Sequence, residues 1–232
     1  MEWPLFAALQ DAERESLLAL ARPRRFDRNE VVCHAGDPAD SLHLVEAGHL
    51  AVRGALPSGN TATFRVLAAG DYFGELALLR KDGLRTASVV ALEPSRTLVI
   101  AGTTFRRLLE SDPRMGVALS ALLADRIDQL SGRLLETMYV GLDRRVYGRL
   151  LELATSYGIA DNRASIPLGQ TSIADLVGAT RPSVNQVLQR LARDGLVEIR
   201  RGGVDLLDVA ELTRRAGWSG SVRNPTFGAF AD

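Results

Sequence analysis

Four residues in one segment have the types and the spacing needed to hold a phosphate and a sugar. Gly74 and Glu75 are followed by the apolar residues 76–79, and Arg85 lies ten positions after Glu75, with Thr86 next to it. A bend at Gly74 followed by a short helix would present backbone amides to an anion, and Arg85 would pair with phosphate oxygens. Glu75 could accept hydrogen bonds from a ribose hydroxyl, and Thr86 could donate one to phosphate. The alternative is a β-turn whose Glu75 and Arg85 form a surface ion pair.

Short alternating segments on both sides of this stretch predict a β-sandwich or β-roll. We expect strands at residues 30–34, 41–46, 49–54, 61–67, 86–92 and 96–100, separated by turns rich in Gly, Pro and Asp. A helix is expected before them, at residues 5–21, with Asp11 as its cap. The segment around Gly74 is then the one helical interruption inside a β-rich domain.

A long helix is predicted from about residue 113 to residue 139. Its apolar residues repeat at spacings of four, three and four, and they are Leu123, Ile127, Leu130 and Leu134. That repeat is typical of the seam of a two-stranded coiled coil, although an amphipathic helix packed on its own domain has the same periodicity. A helix of this size extends roughly 40 Å, which is longer than a small β domain and favours a dimer.

The C-terminal third predicts a helix-turn-helix followed by a hairpin. A helix at residues 171–177, capped by Gln170 or Thr171, leads to a turn at Gly178 and a second helix that Thr180 caps. The second helix has one apolar face, formed by Val184, Val187, Leu188 and Leu191. A hairpin between residues 196–199 and 204–207 follows.

Polar residues on the other face of the second helix and at the hairpin are suited to DNA. Donors and amides of this kind read base edges and hold phosphates, and the candidates are Thr180, Arg181, Ser183, Asn185, Gln186 and Arg190, with Arg200 and Arg201 at the hairpin tip. Residues 181–201 carry five arginines against two acids in a chain whose net charge is zero. A solvated helix face is the alternative, but the turn and the basic hairpin together favour DNA binding.

Composition limits the other functions. Cys33 is the only cysteine, which excludes an intrachain disulfide and a four-cysteine cluster, and it fits a reducing compartment. The three histidines, His34, His43 and His49, lie in early strands without paired spacing, so we expect ordinary strand residues and neither haem nor metal. No spacing of an enzyme's catalytic groups, no signal peptide and no membrane-spanning run is present, so we expect a cytoplasmic protein that is not an enzyme.

The two constellations, joined by a long helix, resemble the CRP/FNR family of bacterial transcription regulators over roughly residues 5–208. Its phosphate-binding cassette has Gly-Glu-Leu and then an arginine ten positions after the glutamate, matched here by Gly74, Glu75, Leu76 and Arg85, with Thr86 following. The resemblance implies that Glu75 holds a ribose hydroxyl and that Arg85 and Thr86 hold a cyclic phosphate.

The chain differs from the cAMP-responsive members of this family in the long helix and in the recognition helix. Those members reach adenine through a Thr-Ser pair on the long helix, and this chain has Leu130 and Ser131 there. Ser131 could keep its contact, but Leu130 cannot donate a hydrogen bond, so cAMP, another effector or none remains open. In the recognition helix Arg181 matches the family, while Pro182 and Gln186 replace a glutamate and a second arginine.

The implied fold class is α+β, in four parts. Residues 1–111 form a cyclic-nucleotide-binding β-roll, 112–140 a dimerisation helix, 141–210 a winged helix-turn-helix domain, and 211–232 a flexible tail. The expected function is that of a homodimeric regulator of double-stranded DNA, controlled by cAMP or another cyclic nucleotide, with RNA polymerase as a further partner. The alternatives are a constitutive or other-effector DNA binder with a vestigial pocket, or a cyclic-nucleotide module that acts on a protein partner.

Overall fold

The computed structural model describes residues 2–55 and 61–217, which fall into two compact units, Met1–Asp125 and Arg126–Asp232. Each unit has its own buried apolar residues, and each is described by itself. Within the described ranges, no helix is both long enough and apolar enough to cross a bilayer.

The first unit contains eight of the strands found in the described ranges. They are β1 (Arg22–Phe26), β2 (Val31–Cys33), β3 (Ser41–Ala47), β4 (Leu50–Ala55), β5 (Thr61–Leu67), β6 (Tyr72–Phe73), β7 (Ser88–Ala91) and β8 (Ser95–Ala101). Two antiparallel four-stranded sheets result, with strand orders β1-β8-β3-β6 and β2-β7-β4-β5. The predicted β-rich domain is therefore confirmed, while β1 and β6 were not expected from the sequence.

Helices begin, interrupt and end this unit. They are α1 (Asp11–Ala19), α2 (Glu75–Leu79), α3 (Gly102–Ser111) and the long α4 (Pro113–Tyr139), which continues into the second unit. The single helix predicted at residues 5–21 is wrong in its first half, because a 3-10 turn at Pro4–Phe6 precedes α1. Gln10 rather than Asp11 is the N-cap, and its N–H donates to Glu13 Oε2 at 2.8 Å.

Strand β3 faces two different environments because successive side chains of a strand point to opposite faces. Leu42 and Leu44 belong to an apolar cluster with residues of α1, α3 and α4. Val45 belongs to a second cluster with Phe26, Leu50, Leu67 and Phe73. Residues 41 and 43 alternate with the leucines in the same way, which places two polar side chains, Ser41 and His43, in the interior.

The second unit combines helices with a small sheet. Its elements after α4 are α5 (Leu142–Tyr157), β9 (Ala164–Ile166), α6 (Gln170–Val177), α7 (Arg181–Arg193), β10 (Val197–Arg200), β11 (Gly203–Leu206) and α8 (Val209–Ala216). The sheet order is β10-β11-β9, antiparallel throughout. This is the predicted helix-turn-helix with its hairpin, to which β9 adds a third strand.

The prediction of a flexible tail from residue 211 is wrong over its first part. Residues 209–216 form α8, whose cap Asp208 accepts from the Glu211 N–H at 2.8 Å, and Leu212 is fully buried. An apolar residue in the core and a side-chain cap give this helix both tertiary and local stabilisation. The rest of the expected tail, residues 218–232, lies outside the described residues.

Candidate functional site

The bend predicted at Gly74 is confirmed, and it begins a short helix. Gly74 has φ +99°, in the left-handed region, and is the N-cap of α2. A Cβ atom at this position would collide with Arg85 Nη1 and come within 2.8 Å of the Ser41 carbonyl oxygen. Glycine is therefore required both by the backbone angle and by the close approach of the Arg85 side chain. The next residue, Glu75, is only 1% exposed.

Arg85 lies inside the domain rather than on its surface, with 7% of the residue exposed. Its Nη2 donates to Ser41 Oγ at 3.0 Å, while its Nη1 is covered and has no hydrogen-bond partner in the described residues. The carboxylate of Asp40 is 3.9 Å from Nη2, but that side chain is 92% exposed. A buried N–H of a charged group without an acceptor is costly, so this nitrogen has the chemistry of a site that an anion would complete.

Backbone hydrogen bonds hold Arg85 in place from the opposite side. Its N–H donates to the Asp37 carbonyl at 2.8 Å, and its own carbonyl accepts from the Gly36 N–H at 2.8 Å. Gly36 has φ +89°, in the left-handed region that favours glycine. The turn therefore fixes the point from which the arginine side chain extends inward.

The other predicted effector residues are placed differently. Leu76, the second residue of α2, is half-buried, and Thr86 is exposed. Ser131 is exposed on α4, in the second unit. The structure thus brings Gly74 and Arg85 into contact.

Three residues that sequence reasoning did not assign to the site form a buried polar chain behind Arg85. His43 Nε2 is 3.3 Å from Ser41 Oγ, and His43 Nδ1 is 3.2 Å from Thr97 Oγ1. The imidazole also stacks on Phe73 with ring centroids 4.6 Å apart. Burial, together with the nearby positive charge of Arg85, lowers the pKa of His43 to about 3.

His43 is therefore more than the ordinary strand residue expected from its position. The alternating pattern of β3 was the available signal, because it assigns Ser41 and His43 to one face. That pattern alone does not say that Thr97, 54 residues later, completes the chain. Within the ranges that are described, no group of His, Cys, Asp and Glu is arranged to hold a metal ion.

The apolar stripe of α4 is mostly exposed in a single chain. Ile127, Leu130 and Leu134 are 63%, 51% and 62% exposed, whereas Leu123 packs partly against the apolar cluster of the first unit. A run of large exposed apolar side chains along one helix is typical of an interaction surface. Three of the four predicted dimer residues are thus available for contact.

The turn of the helix-turn-helix is built as predicted. Gly178 ends α6 at φ +68°, and Thr180 caps α7, with its Oγ1 accepting from the Ser183 N–H at 3.4 Å. The N-cap of α6 is Gly169, so the predicted caps Gln170 and Thr171 are wrong. All four residues of the predicted apolar face of α7 are buried, and they are Val184, Val187, Leu188 and Leu191.

The predicted DNA-contacting residues of α7 divide into exposed and engaged side chains. Arg181 and Gln186 are exposed, and Ser183 Oγ is 2.9 Å from the hydroxyl of its cap, Thr180. Asn185 is half-buried, and its Oδ1 is covered and has no hydrogen-bond partner among the described residues. Among the predicted residues of α7, Arg181 and Gln186 are therefore exposed side chains that could reach a base edge.

Two of the predicted arginines already have acidic partners. Arg190 Nη2 is 2.5 Å from Asp143 Oδ1 of α5, and Arg200 pairs with Asp205 and donates to Ser165 Oγ at 2.8 Å. Arg200 lies in β10 rather than at the hairpin tip, so its predicted position is wrong, whereas Arg201 is exposed in the turn. These pairs reduce the free positive charge available to a phosphate backbone.

The fold and these sites define a class of protein in which a β-domain with a buried arginine beside a glycine bend is followed by a long helix and a winged helix-turn-helix. Comparisons with known proteins agree with both parts. The family model of the cyclic nucleotide-binding domain matches residues 23–112, and that of the Crp-like helix-turn-helix domain matches residues 144–215.

Relatives match along most of the chain. The cyclic AMP receptor protein of Thermus thermophilus is 30% identical over 212 residues, covering 90% of this chain and 94% of that protein. The CRP-like cAMP-activated global transcriptional regulator of Mycobacterium tuberculosis is 27% identical over 215 residues, covering 91% and 96%. A solved CRP-family transcriptional regulator of Thermus thermophilus superposes with a TM-score of 0.71 at 28% identity, covering 84% and 96%.

The chain therefore belongs to the CRP/FNR family of transcription regulators. It is a DNA-binding transcription regulator with a cyclic nucleotide-binding domain, and it is not an enzyme.

Proposed function

We propose that this regulator is a homodimer whose affinity for a specific DNA site is controlled by a cyclic nucleotide bound at Arg85. The observation that carries the proposal is the buried Arg85 Nη1, which has no acceptor among the described residues and lies against the bend at Gly74. A phosphate oxygen would supply the acceptor and the opposite charge together. Glu75, buried one residue after the bend, would hold the sugar.

The identity of the cyclic nucleotide depends on contacts to its base. Relatives of this chain are described as cAMP-activated or as a cyclic AMP receptor protein, which supports cAMP as the first ligand to test. Leu130 offers no hydrogen-bond donor to an adenine, so selectivity for the base rests on fewer polar contacts, with Ser131 remaining. We therefore propose a cyclic nucleotide effector, with cAMP first and cGMP and a cyclic dinucleotide as competitors.

The dimer would form along α4. Ile127, Leu130 and Leu134 expose more than half of their surface, so burying the exposed part would contribute about 1–2 kcal/mol for each residue before the entropic cost of association. Residues 1–111 would then bind the effector, 112–140 would form the dimer helix, and the DNA-binding part would begin at residue 141 and include α8. An effector changes DNA affinity only if it binds one state of the dimer better than the other.

The operator would have two-fold symmetry, with half-sites about one helical turn apart. Arg181 is suited to guanine O6 and N7, and Gln186 to adenine. Pro182 has no acceptor for cytosine N4, so the half-site would differ from that of the cAMP-responsive members at the positions read by Pro182 and Gln186. Contact with RNA polymerase is proposed from the class of protein alone.

The test combines calorimetry with a DNA titration. The purified chain is titrated with cAMP, cGMP and cyclic di-GMP, and its affinity for a site selected from random DNA is measured with and without each nucleotide. Arg85→Ala should abolish the nucleotide response and leave the fold intact. Arg80→Ala, which removes an exposed arginine paired with Asp82 in the same segment, should keep the response.

Other outcomes would favour the other functions. DNA binding that no nucleotide alters would make the chain a constitutive or other-effector regulator. Nucleotide binding without any salt-dependent DNA binding would instead indicate a regulatory module for a protein partner. A selected half-site identical to that of the cAMP-responsive members would contradict the proposed reading by Pro182 and Gln186.

A further inference from the structure

We propose that Ser41 is a positioning residue for Arg85, and that a hydrogen-bonded chain through His43 to Thr97 holds Ser41 in that role. The inference rests on the proposed function, since it concerns how the same site presents its arginine to a cyclic phosphate. It adds three residues from strands β3 and β8 that lie outside the cassette of residues 74–86.

One arrangement of protons satisfies all members of this hydrogen-bonded chain. Ser41 Oγ lies 2.8 Å from Asp40 Oδ1, to which it donates its hydrogen. The same oxygen must then accept from Arg85 Nη2 at 3.0 Å and from His43 Nε2 at 3.3 Å. Thr97 Oγ1 donates to His43 Nδ1 at 3.2 Å. A neutral imidazole protonated at Nε2 fits both of its contacts.

This hydrogen-bonded chain leaves Arg85 Nη1 buried without a partner among the described residues. The guanidinium is planar and rigid, so fixing Nη2 on Ser41 also fixes the direction of Nη1. Nη1 is covered and lies where a side chain at Gly74 would be. The result is one anchored nitrogen and one nitrogen kept for an acceptor, on the side of the bend that begins α2.

Ser41 acts as a support rather than as a competitor of the ligand. Its hydroxyl oxygen is neutral, so it accepts a hydrogen bond without cancelling the charge of the arginine. The carboxylate of Asp40 lies 3.9 Å from Arg85 Nη2 and is 92% exposed, where solvent screens its charge. If Ser41 competed with the ligand for Arg85, removing its hydroxyl group would tighten nucleotide binding. If Ser41 supports Arg85, the same change would weaken binding.

The test measures nucleotide affinity in variants that remove single hydroxyl groups. For whichever of cAMP and cGMP the parent binds, Ser41→Ala should weaken binding about tenfold, because a hydrogen bond to a charged group is lost. If the parent binds both nucleotides, the loss of affinity should be the same for both, since Ser41 acts on the arginine that holds their common phosphate. Thr97→Val, two hydrogen bonds further from Arg85 than Ser41, should weaken binding by a smaller factor. Ser95→Ala is the matched control, because this buried serine of β8 bonds to the carbonyls of Glu93 and His49 instead.

A second pair of variants separates the hydroxyl group from packing. Ser41→Thr and Ser41→Val have the same shape, and only the first keeps the hydroxyl, so Thr should retain affinity that Val loses. Equal affinities in these two variants, or tighter binding in Ser41→Ala, would overturn the positioning role while leaving the proposed function intact. If the parent chain binds no cyclic nucleotide, the proposed function fails and the positioning role fails with it.

The tautomer of His43 provides a measurement that needs no ligand. A nitrogen-15 spectrum of the nucleotide-free chain should show a neutral imidazole protonated at Nε2, and Ser41→Ala should shift that Nε2 signal. A ring protonated at Nδ1 alone, or a charged ring at pH 6, would contradict the proton arrangement on which the inference depends.

Discussion

Arg149 Nη2 lies 2.7 Å from Glu136 Oε2, so a buried arginine of α5 is bonded to the last turn of α4 across residues 140–141. The other end of the same guanidinium pairs with Glu152, and Glu152 in turn lies 3.5 Å from Arg133. Two arginines and two glutamates therefore connect the C-terminal part of the long helix to the first helix of the DNA-binding region. The buried Arg149 needs these partners, since an uncompensated buried charge is strongly destabilising.

We predict that Glu136→Gln loosens this connection without unfolding the unit. The loss should be about 1 kcal/mol, because Glu136 is partly exposed and Glu152 still compensates the charge. Hydrogen exchange of amides at the end of α4 and the start of α5 should rise about fivefold. Glu198→Gln, at an exposed glutamate of β10, is the control and should leave those rates unchanged. Equal rates in the two variants would show that this ion pair does not stabilise the junction of α4 and α5.

The bend at Gly74 can be tested against a second glycine in the same segment. Gly83 also has a positive φ, +59°, but a Cβ atom there would meet nothing within 4 Å. Gly83→Ala should therefore cost about 1 kcal/mol through backbone strain alone. Gly74→Ala adds a collision with Arg85 and should cost at least about 2 kcal/mol, with loss of nucleotide binding. Hydrogen exchange of α2 and β3 with calorimetry measures both, and equal costs would contradict the close contact.

The exposed stripe of α4 predicts the effect of a charge at Leu134. Leu134→Asp should weaken association of the proposed dimer by at least about 2 kcal/mol, because a carboxylate would be buried without a partner. Sedimentation should show a shift towards monomer, with weaker binding to a two-fold operator. Leu20→Asp is the matched control, since Leu20 is an equally exposed leucine outside α4. A monomeric parent chain would contradict the proposed dimer, and a dimer that Leu134→Asp does not affect would place the interface elsewhere.

Arg181 and Arg201 are both exposed but are expected to play different roles on DNA. Arg181→Ala should cost about 1–3 kcal/mol and relax specificity at one base pair of the half-site. Arg201→Ala should weaken binding to all DNA sequences alike. It should also reduce the slope of log affinity against log salt concentration by about one. Titrations against base-substituted operators at several salt concentrations distinguish the two. A uniform loss for Arg181→Ala would make it a phosphate contact.

His43 predicts how stability of the first unit depends on pH. Its pKa is about 3 in the folded chain and near 6.5 when unfolded, so below pH 6.5 the unfolded state binds the additional proton. Stability is therefore full above pH 6.5 and falls by about 1.4 kcal/mol per unit down to pH 3. Between pH 7 and pH 5 the loss should be about 2 kcal/mol, measured by hydrogen exchange of β3. His43→Gln should remove this component, while His34→Gln, at an exposed histidine, should keep it.

Local pattern was sufficient for much of the fold. The strand at residues 61–67 and the helix predicted from about 113 to 139 have these bounds in the structure, and the apolar face of α7 is buried as its spacing indicates. Periodicity and turn residues act between near neighbours, so they can be recognised in the chain itself. Helix α8 was missed because its stabilisation depends on burying Leu212 in a core formed by distant elements.

The sequence by itself determined the residue types of the site, since a left-handed bend favours glycine and a phosphate favours arginine. Only the tertiary structure decided which of these side chains are buried and which already have a hydrogen-bond partner. Ser41 and Arg85 are 44 residues apart, and Asp143 and Arg190 are 47 apart, yet each pair shares a hydrogen bond. Sheet pairing and helix packing bring such residues together, and no local pattern encodes those distances. Whether an arginine is buried, paired or available is therefore a property of the folded chain.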